Sequence, residues 1–308
     1  MRDFLTPDHP LLRSAFSDRE VAGFARLAGG TAKGVYRVTF ADGGTVLIYR
    51  WHTDENFWPT RVVIDGGPFG GNPGREAFVA KHALLSGLGV RVPHLLGLAG
   101  SDLALIEDVR NGTLEDLLTH DAAAGRETLG RLRETLRTMH SHTSADFGWP
   151  GRTCVDFVLG RGRRALAEAI ARVPRIAAIQ EQVRYELSTR HAAIQPRSVH
   201  GVIHGELGPD HVMVDDSGDP ILIDIEGTLV FDVEWEHAFL ELRFGPLYPR
   251  LHTVELDEAR MSLYRLVHYL SLVAGPLMLL DGDFPRPEFM RQIVEGNIER
   301  VLSAVAAG

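Results

Sequence analysis

The stretch His204-Gly205-Glu206-Leu207-Gly208-Pro209-Asp210-His211 leads into Val212-Met213-Val214, a turn at residues 215–220, and Ile221-Leu222-Ile223-Asp224-Ile225-Glu226. Two short β-rich runs around an Asp/Ser/Gly/Pro turn predict a hairpin. A hairpin returns position 224 beside position 211, with Glu206 in the loop before the first strand. A carboxylate, an imidazole and a second carboxylate then gather at one hairpin base. That set suits a divalent cation and a general base. Asp224 follows an Ile-Leu-Ile run of buried type, where a carboxylate is costly without a cation, so Asp224 is the expected metal ligand and His211 a candidate second one.

Upstream of this segment the chain changes character. Phe24 to Gly29 leads into a glycine-containing turn, Gly29-Gly30-Thr31-Ala32-Lys33-Gly34. Val35 to Phe40 and Thr45 to Arg50 read as two strands joined at Asp42-Gly43-Gly44. Residues 65–75 are loop by composition. Glu76 to Ser86 has helical periodicity, and Leu103 to Val109 reads as a strand broken by Asn111-Gly112. From there the pattern is mostly helical: Thr113 with Asp116 is a helix start, and helices are expected over 127–142, 156–172, 176–191 and from 233 onward. The fold class is therefore α+β, with a small strand-rich N-terminal part (1–106), a hinge (107–112) and a larger helical C-terminal part (113–308).

Composition narrows the function. Of 308 residues, 44% are hydrophobic and 24% charged, ordinary for a globular protein, and the formal charge is −9. That balance argues against coating nucleic acid or an anionic membrane. With Cys154 as the only cysteine there is no intrachain disulfide and no multi-cysteine zinc site, and a cytoplasmic location is expected. The N-terminus lacks the apolar run of a signal peptide. Leu266 to Leu280 is shorter than the ~20 residues of a membrane span and reads as a core helix. Lys33 and Lys81 are the only lysines, so work usually done by lysine falls to arginine.

Taken together, these motifs resemble the aminoglycoside phosphotransferase-like small-molecule kinases, whose loop reads His-Gly-Asp, four residues, then Asn. The resemblance implies a bilobal protein-kinase-like fold. It aligns Glu206 with the catalytic Asp, His211 with the metal-binding Asn, and Asp224 with the Asp that holds Mg²⁺ across the phosphates. It implies that Gly29, Gly30, Thr31, Lys33 and Gly34 cover a nucleotide. It implies further that Arg50, paired with Glu76, holds the α- and β-phosphates, and that the Glu107–Val109 backbone meets the base. Lys33 is a candidate phosphate contact, with a solvated loop lysine as the first reading of its position. Residues 231–236 resemble the helix start that supports the catalytic loop from below. The implied activity is transfer of the γ-phosphoryl group of ATP or GTP to a hydroxyl of a small molecule, such as an antibiotic or other natural product; oligomeric state is not addressed.

Two residues depart from the pattern. Glu206 is one methylene longer than Asp, and the His211 imidazole suits Mn²⁺ better than Mg²⁺. A nucleotide-binding pseudokinase without turnover is the alternative these departures raise. A metal-dependent hydrolase using His200, His204, Glu206 and Asp224 is a further one. Trp51, Phe57 and Trp58 are candidates for an acceptor pocket, and Cys154 reads as a packing residue.

Overall fold

The computed structural model describes residues 2–59, 68 and 74–306. In chain order the elements are α1 (Pro10–Ala15), β1 (Val21–Arg26), β2 (Gly34–Phe40), β3 (Thr45–Arg50), α2 (Gly74–Gly87), β4 (Leu95–Ala99), β5 (Leu103–Glu107), α3 (Leu114–His120) and α4 (Ala122–Ser141). There follow β6 (Thr143–Ser144), α5 (Cys154–Arg172), α6 (Pro174–Ala178), α7 (Gln180–Ala192), β7 (His200–Ile203), β8 (Val212–Val214), β9 (Pro220–Leu222), β10 (Leu229–Phe231), α8 (Val233–Phe244), α9 (Glu258–Leu279) and α10 (Pro287–Ala306). Most of the loop expected at 65–75 lies outside the described residues. The described residues fall into two compact units: residues up to 59, 74–128 and 210–226 in the first, and 129–209 with 227–306 in the second. The stretch expected as a hinge, 107–112, lies inside the first unit.

The first unit is built on an antiparallel sheet of order β1-β2-β3-β5-β4. Side chains alternate between its faces with a period of two. The even-numbered residues Tyr36, Val38, Phe40, Val46 and Ile48 pack on one face against Leu5, Leu12 and Phe16. The odd-numbered Tyr49 therefore faces the other side, toward Phe78 of α2. The β8–β9 hairpin is present in the expected register, with Val212 opposite Leu222 and Val214 opposite Pro220. It joins the same unit through Leu222 N–H, which donates to the Arg91 carbonyl at 2.9 Å, and through Val214 N–H to the Gly112 carbonyl at 3.1 Å. Thr113 caps α3 with the expected box, its side chain and that of Asp116 exchanging backbone bonds.

The second unit is helical around α9. Leu263, Leu266, Val267, Leu270 and Val273 recur at helical spacing and are all fully buried. They pack with Val158 and Leu166 of α5, Leu187 of α7, and Ile298 and Val301 of α10. The run from Leu266 is thus a core helix, as expected. No described helix is long and apolar enough to cross a membrane. A small sheet of order β10-β7-β6 leads the chain into the loop at 204–209.

One buried acid organises the first unit. Glu55 is fully buried, accepts from Arg26 at 3.1 Å and from the Tyr36 hydroxyl, and lies 3.7 Å from the Arg50 guanidinium. Gly34 makes this possible, because a Cβ there would fall 2.4 Å from the Glu55 carboxyl. Removing a buried charge leaves its partners uncompensated, so Glu55→Ala is expected to lower the unfolding free energy by about 3 kcal/mol. Asp8→Ala, at an exposed ion pair with Arg13, is expected to cost under ~1 kcal/mol. Urea denaturation of both variants checks the contrast.

Candidate functional site

In the first unit the acids of the hairpin meet a cation. Lys33 Nζ lies 2.7 Å from Asp224 Oδ1 and 2.6 Å from Glu226 Oε1. Lys33 was expected to be solvated; its side chain is instead only 10% exposed. Burial by itself lowers the pKa of the ammonium, but the two carboxylates outweigh this and raise it above its ordinary value. Burial raises the Glu226 carboxyl, an effect that Lys33 opposes. Asp224 itself is 45% exposed and adopts a left-handed backbone, φ 59°. Asp tolerates that conformation better than most residues, and it turns the carboxylate out of the strand path. His211 Nε2 stands 3.7 Å from Asp224 Oδ2, and Ile223 N–H donates to the His211 carbonyl at 3.0 Å. Position 211 is thus brought beside 224 as the hairpin reading required.

This donor set fits a divalent cation. Two carboxylates already converge on one positive charge, the Lys33 ammonium. Glu226 Oε2 is buried with no hydrogen-bond partner among the described residues. An imidazole nitrogen is close at hand. The recess beside these groups is lined by Tyr49, Phe78, His82, Ile106 and Ile223.

The glycine turn adjoins β2. Gly30 packs so closely under the Lys33 carbonyl that a Cβ would lie 2.3 Å from it. Thr31 holds the turn to the following segment: its carbonyl accepts from Phe57 N–H at 2.8 Å and its hydroxyl from Trp58 Nε1 at 3.1 Å. Phe57 lies buried under the Arg2 guanidinium, and Trp51 packs on Phe78. These aromatics brace the sheet and the turn.

Two expectations for phosphate contacts are corrected. Arg50 shares the even-numbered face of β3, where it donates to the Asp3 carbonyl at 2.8 Å and lies 3.5 Å from Asp102. It points away from Tyr49 because neighbours on a strand face opposite sides. Glu76 does not pair with Arg50; its side chain is 77% exposed and bonds to Arg75. At the expected hinge, Glu107 N–H is committed to the His94 carbonyl at 2.9 Å. Asp108 is bound by Arg37 at 2.7 and 2.9 Å, and Val109 is half-buried.

In the second unit, the loop carrying Glu206 is pinned from α8. The fully buried Glu236 carboxylate accepts from His204 N–H and Gly205 N–H. Gly205 has φ +94°, and a Cβ on it would lie 2.7 Å from the Gly227 carbonyl. Leu207 is fully buried, while Glu206 between these anchors is exposed. The backbone on both sides of Glu206 is thus held in place. His204 is buried beneath the loop. His200 is also in the core, its Nδ1 2.8 Å from Asp232 Oδ1. Asp232 further accepts from Arg260 at 3.0 Å and the Tyr264 hydroxyl at 2.5 Å. Cys154 lies 3.5 Å from His200, and burial pushes its thiol well above the ordinary range. These groups hydrogen-bond one another into a buried hub.

Burial pushes the Glu236 carboxyl up to about 7, against the backbone donors that favour its ionised form. A carboxyl raised on folding is less easily ionised in the native state, so stability is greatest below its unfolded pKa and declines as the pH rises toward the folded one. The stability of the wild type is expected to fall between about pH 4.5 and 7 through this group. Glu236→Gln, which keeps an acceptor oxygen but does not titrate, should lose that slope; denaturation midpoints across the pH range check it.

Comparisons with known proteins bear on the family and the fold. Residues 27–240 match the profile of the Phosphotransferase enzyme family. No curated protein matches the chain in sequence. Among solved structures, choline kinase LicA from Streptococcus pneumoniae is similar at a TM-score of 0.66 and 16% identity, covering 96% of this chain and 98% of its own. A thermostable mutant of aminoglycoside phosphotransferase APH(4)-Ia in its apo form is similar at 0.63 and 15%, covering 94% and 98%. Another such mutant, in ternary complex with AMP-PNP and hygromycin B, is similar at 0.62 and 15%, covering 96% and 98%. With 27–240 matched and this fold shared, the chain belongs to the phosphotransferase enzyme family.

Proposed function

We propose that this protein transfers the γ-phosphoryl group of ATP or GTP to a hydroxyl of a small molecule. The observation that carries the reading is the convergence of Asp224 and Glu226 on one cation position beside the glycine turn, with His211 at 3.7 Å from Asp224. Asp224 would hold Mg²⁺, with His211 as a second ligand that also suits Mn²⁺. Such a metal neutralises charge on the phosphate oxygens. The residues at 29–34 would close over the nucleotide. Glu206 would orient the acceptor hydroxyl and take its proton as the new oxygen–phosphorus bond forms. The bond from the γ-phosphorus to the bridging oxygen breaks, and ADP or GDP leaves. Catalysis of this kind is mostly positioning and charge neutralisation.

The acceptor is a small molecule on the strength of family membership; the similar structures include a choline kinase and an aminoglycoside phosphotransferase bound to hygromycin B. Labelled ATP and GTP, offered with choline, aminoglycosides, sugars and nucleosides, test the transfer. Label is expected to move to a hydroxyl-bearing acceptor, and nucleotide binding without transfer to any acceptor would favour a pseudokinase. In the active pair, Glu206→Ala is expected to lower kcat by about 10²–10⁴-fold, the range for loss of a general base. It should leave nucleotide affinity nearly unchanged, since Glu206 is assigned to the acceptor and not to the phosphates.

A further inference from the structure

We propose that Lys33, delivered from the glycine turn, is the cation that grips the nucleotide phosphates in this chain, in place of a basic residue on β3. The inference rests on the nucleotide reading above and assigns a residue within it.

In kinases generally, a lysine on the third strand holds the α- and β-phosphates and is oriented by a glutamate on the following helix. Here the inward-facing residue at the end of that strand is Tyr49. Its ring meets Phe78 of α2 edge to face, with centroids 5.5 Å apart. An aromatic contact therefore stands where strand and helix would exchange an ion pair. Arg50 cannot substitute. Turning it inward means reversing the pleat of β3, which would expel the fully buried Ile48 from the opposite face. Its guanidinium also donates to the Asp3 carbonyl and lies 3.7 Å from Glu55 and 3.5 Å from Asp102.

Lys33 supplies what the strand lacks. Its stem crosses toward the hairpin, and its Nζ lies 5.0 Å from the Tyr49 ring centroid, at the inward side of β3. It reaches both acids of the hairpin at hydrogen-bond distance. The two acids then have distinct parts. Glu226, 10% exposed, is the positioning residue that keeps the ammonium in place. Asp224, 45% exposed, is open to the metal. With a metal held by Asp224, Lys33 would be free to contact phosphate oxygens. A lysine suits this contact because its compact charge sits on a flexible four-carbon stem.

The test is isothermal titration of the full chain with Mg²⁺·AMP-PNP, Mg²⁺·ADP and adenosine. The readout is the affinity for each phosphate-bearing ligand relative to adenosine, which cancels a general loss of folded protein. Lys33→Met is expected to reduce that ratio by roughly tenfold to a hundredfold, the size of a lost charge-assisted hydrogen bond. Arg50→Met should preserve it, and adding Tyr49→Lys to Lys33→Met should recover part of it. A ratio unchanged in Lys33→Met, or lost in Arg50→Met, overturns the assignment while leaving the nucleotide reading intact. Absence of nucleotide binding by the wild type overturns both.

Discussion

One ammonium shared by two carboxylates is the interaction on which the first unit's chemistry depends. Two acids this close repel each other, and desolvating them is costly unless a cation stands between. Lys33 meets that need in the ligand-free protein. The arrangement requires three separate structural facts. The β8–β9 hairpin must end in a left-handed turn that throws the Asp224 carboxylate outward. The glycine turn must be tight enough to bring Lys33 over the hairpin. β3 must present an uncharged wall, Tyr49, so that no second cation competes. The two carboxylates hold Lys33 protonated against the burial that would lower its pKa, and the same burial pushes the Tyr49 hydroxyl up to about 12.

The second unit solves a different problem, holding the backbone beside an exposed carboxylate. The backbone on either side of Glu206 is held by its neighbours. Glu236 anchors the backbone at 204 and 205, and buried Leu207 fixes the other side. The longer Glu side chain in place of Asp is thus carried on a loop whose backbone has little freedom to adjust. Asp232 with Arg260, Tyr264 and His200 then ties the start of α8 to the surrounding core. Both ends of the segment 204–226 therefore rest on buried polar groups whose bonds are short-range and directional.

Much of this was legible in the chain itself. Periodicity placed the sheet strands, the α9 core and the capped start of α3, because these follow from local pattern. Turn chemistry placed the hairpin, so the proximity of His211 and Asp224 followed from residue types alone. The spacing of 204–211 and 224–226 carried the family. What failed was side-chain direction. Arg50 was assigned by charge, although the alternation of Ile48, Tyr49 and Arg50 already set it on the core face. Glu76 was assigned by its place at the start of a helix, but its azimuth there faces solvent. Lys33 stood among the nucleotide-contact candidates but read first as a solvated turn lysine, because its burial depends on acids nearly two hundred positions away, which no local pattern encodes. The segment of Glu236 was legible as the helix start that supports the loop; its bonds to His204 and Gly205 depend on how α8 packs beside the loop that leaves β7, which no local pattern encodes.

The central claim is that Asp224 belongs to a site for a metal–nucleotide complex. Electron paramagnetic resonance of Mn²⁺ titrated into the protein, with and without AMP-PNP, tests it most directly. The account predicts weak Mn²⁺ binding alone, tight binding when nucleotide is present, and loss of the nucleotide-dependent part in Asp224→Asn. Mn²⁺ binding that ignores the nucleotide, or that survives Asp224→Asn unchanged, would contradict it.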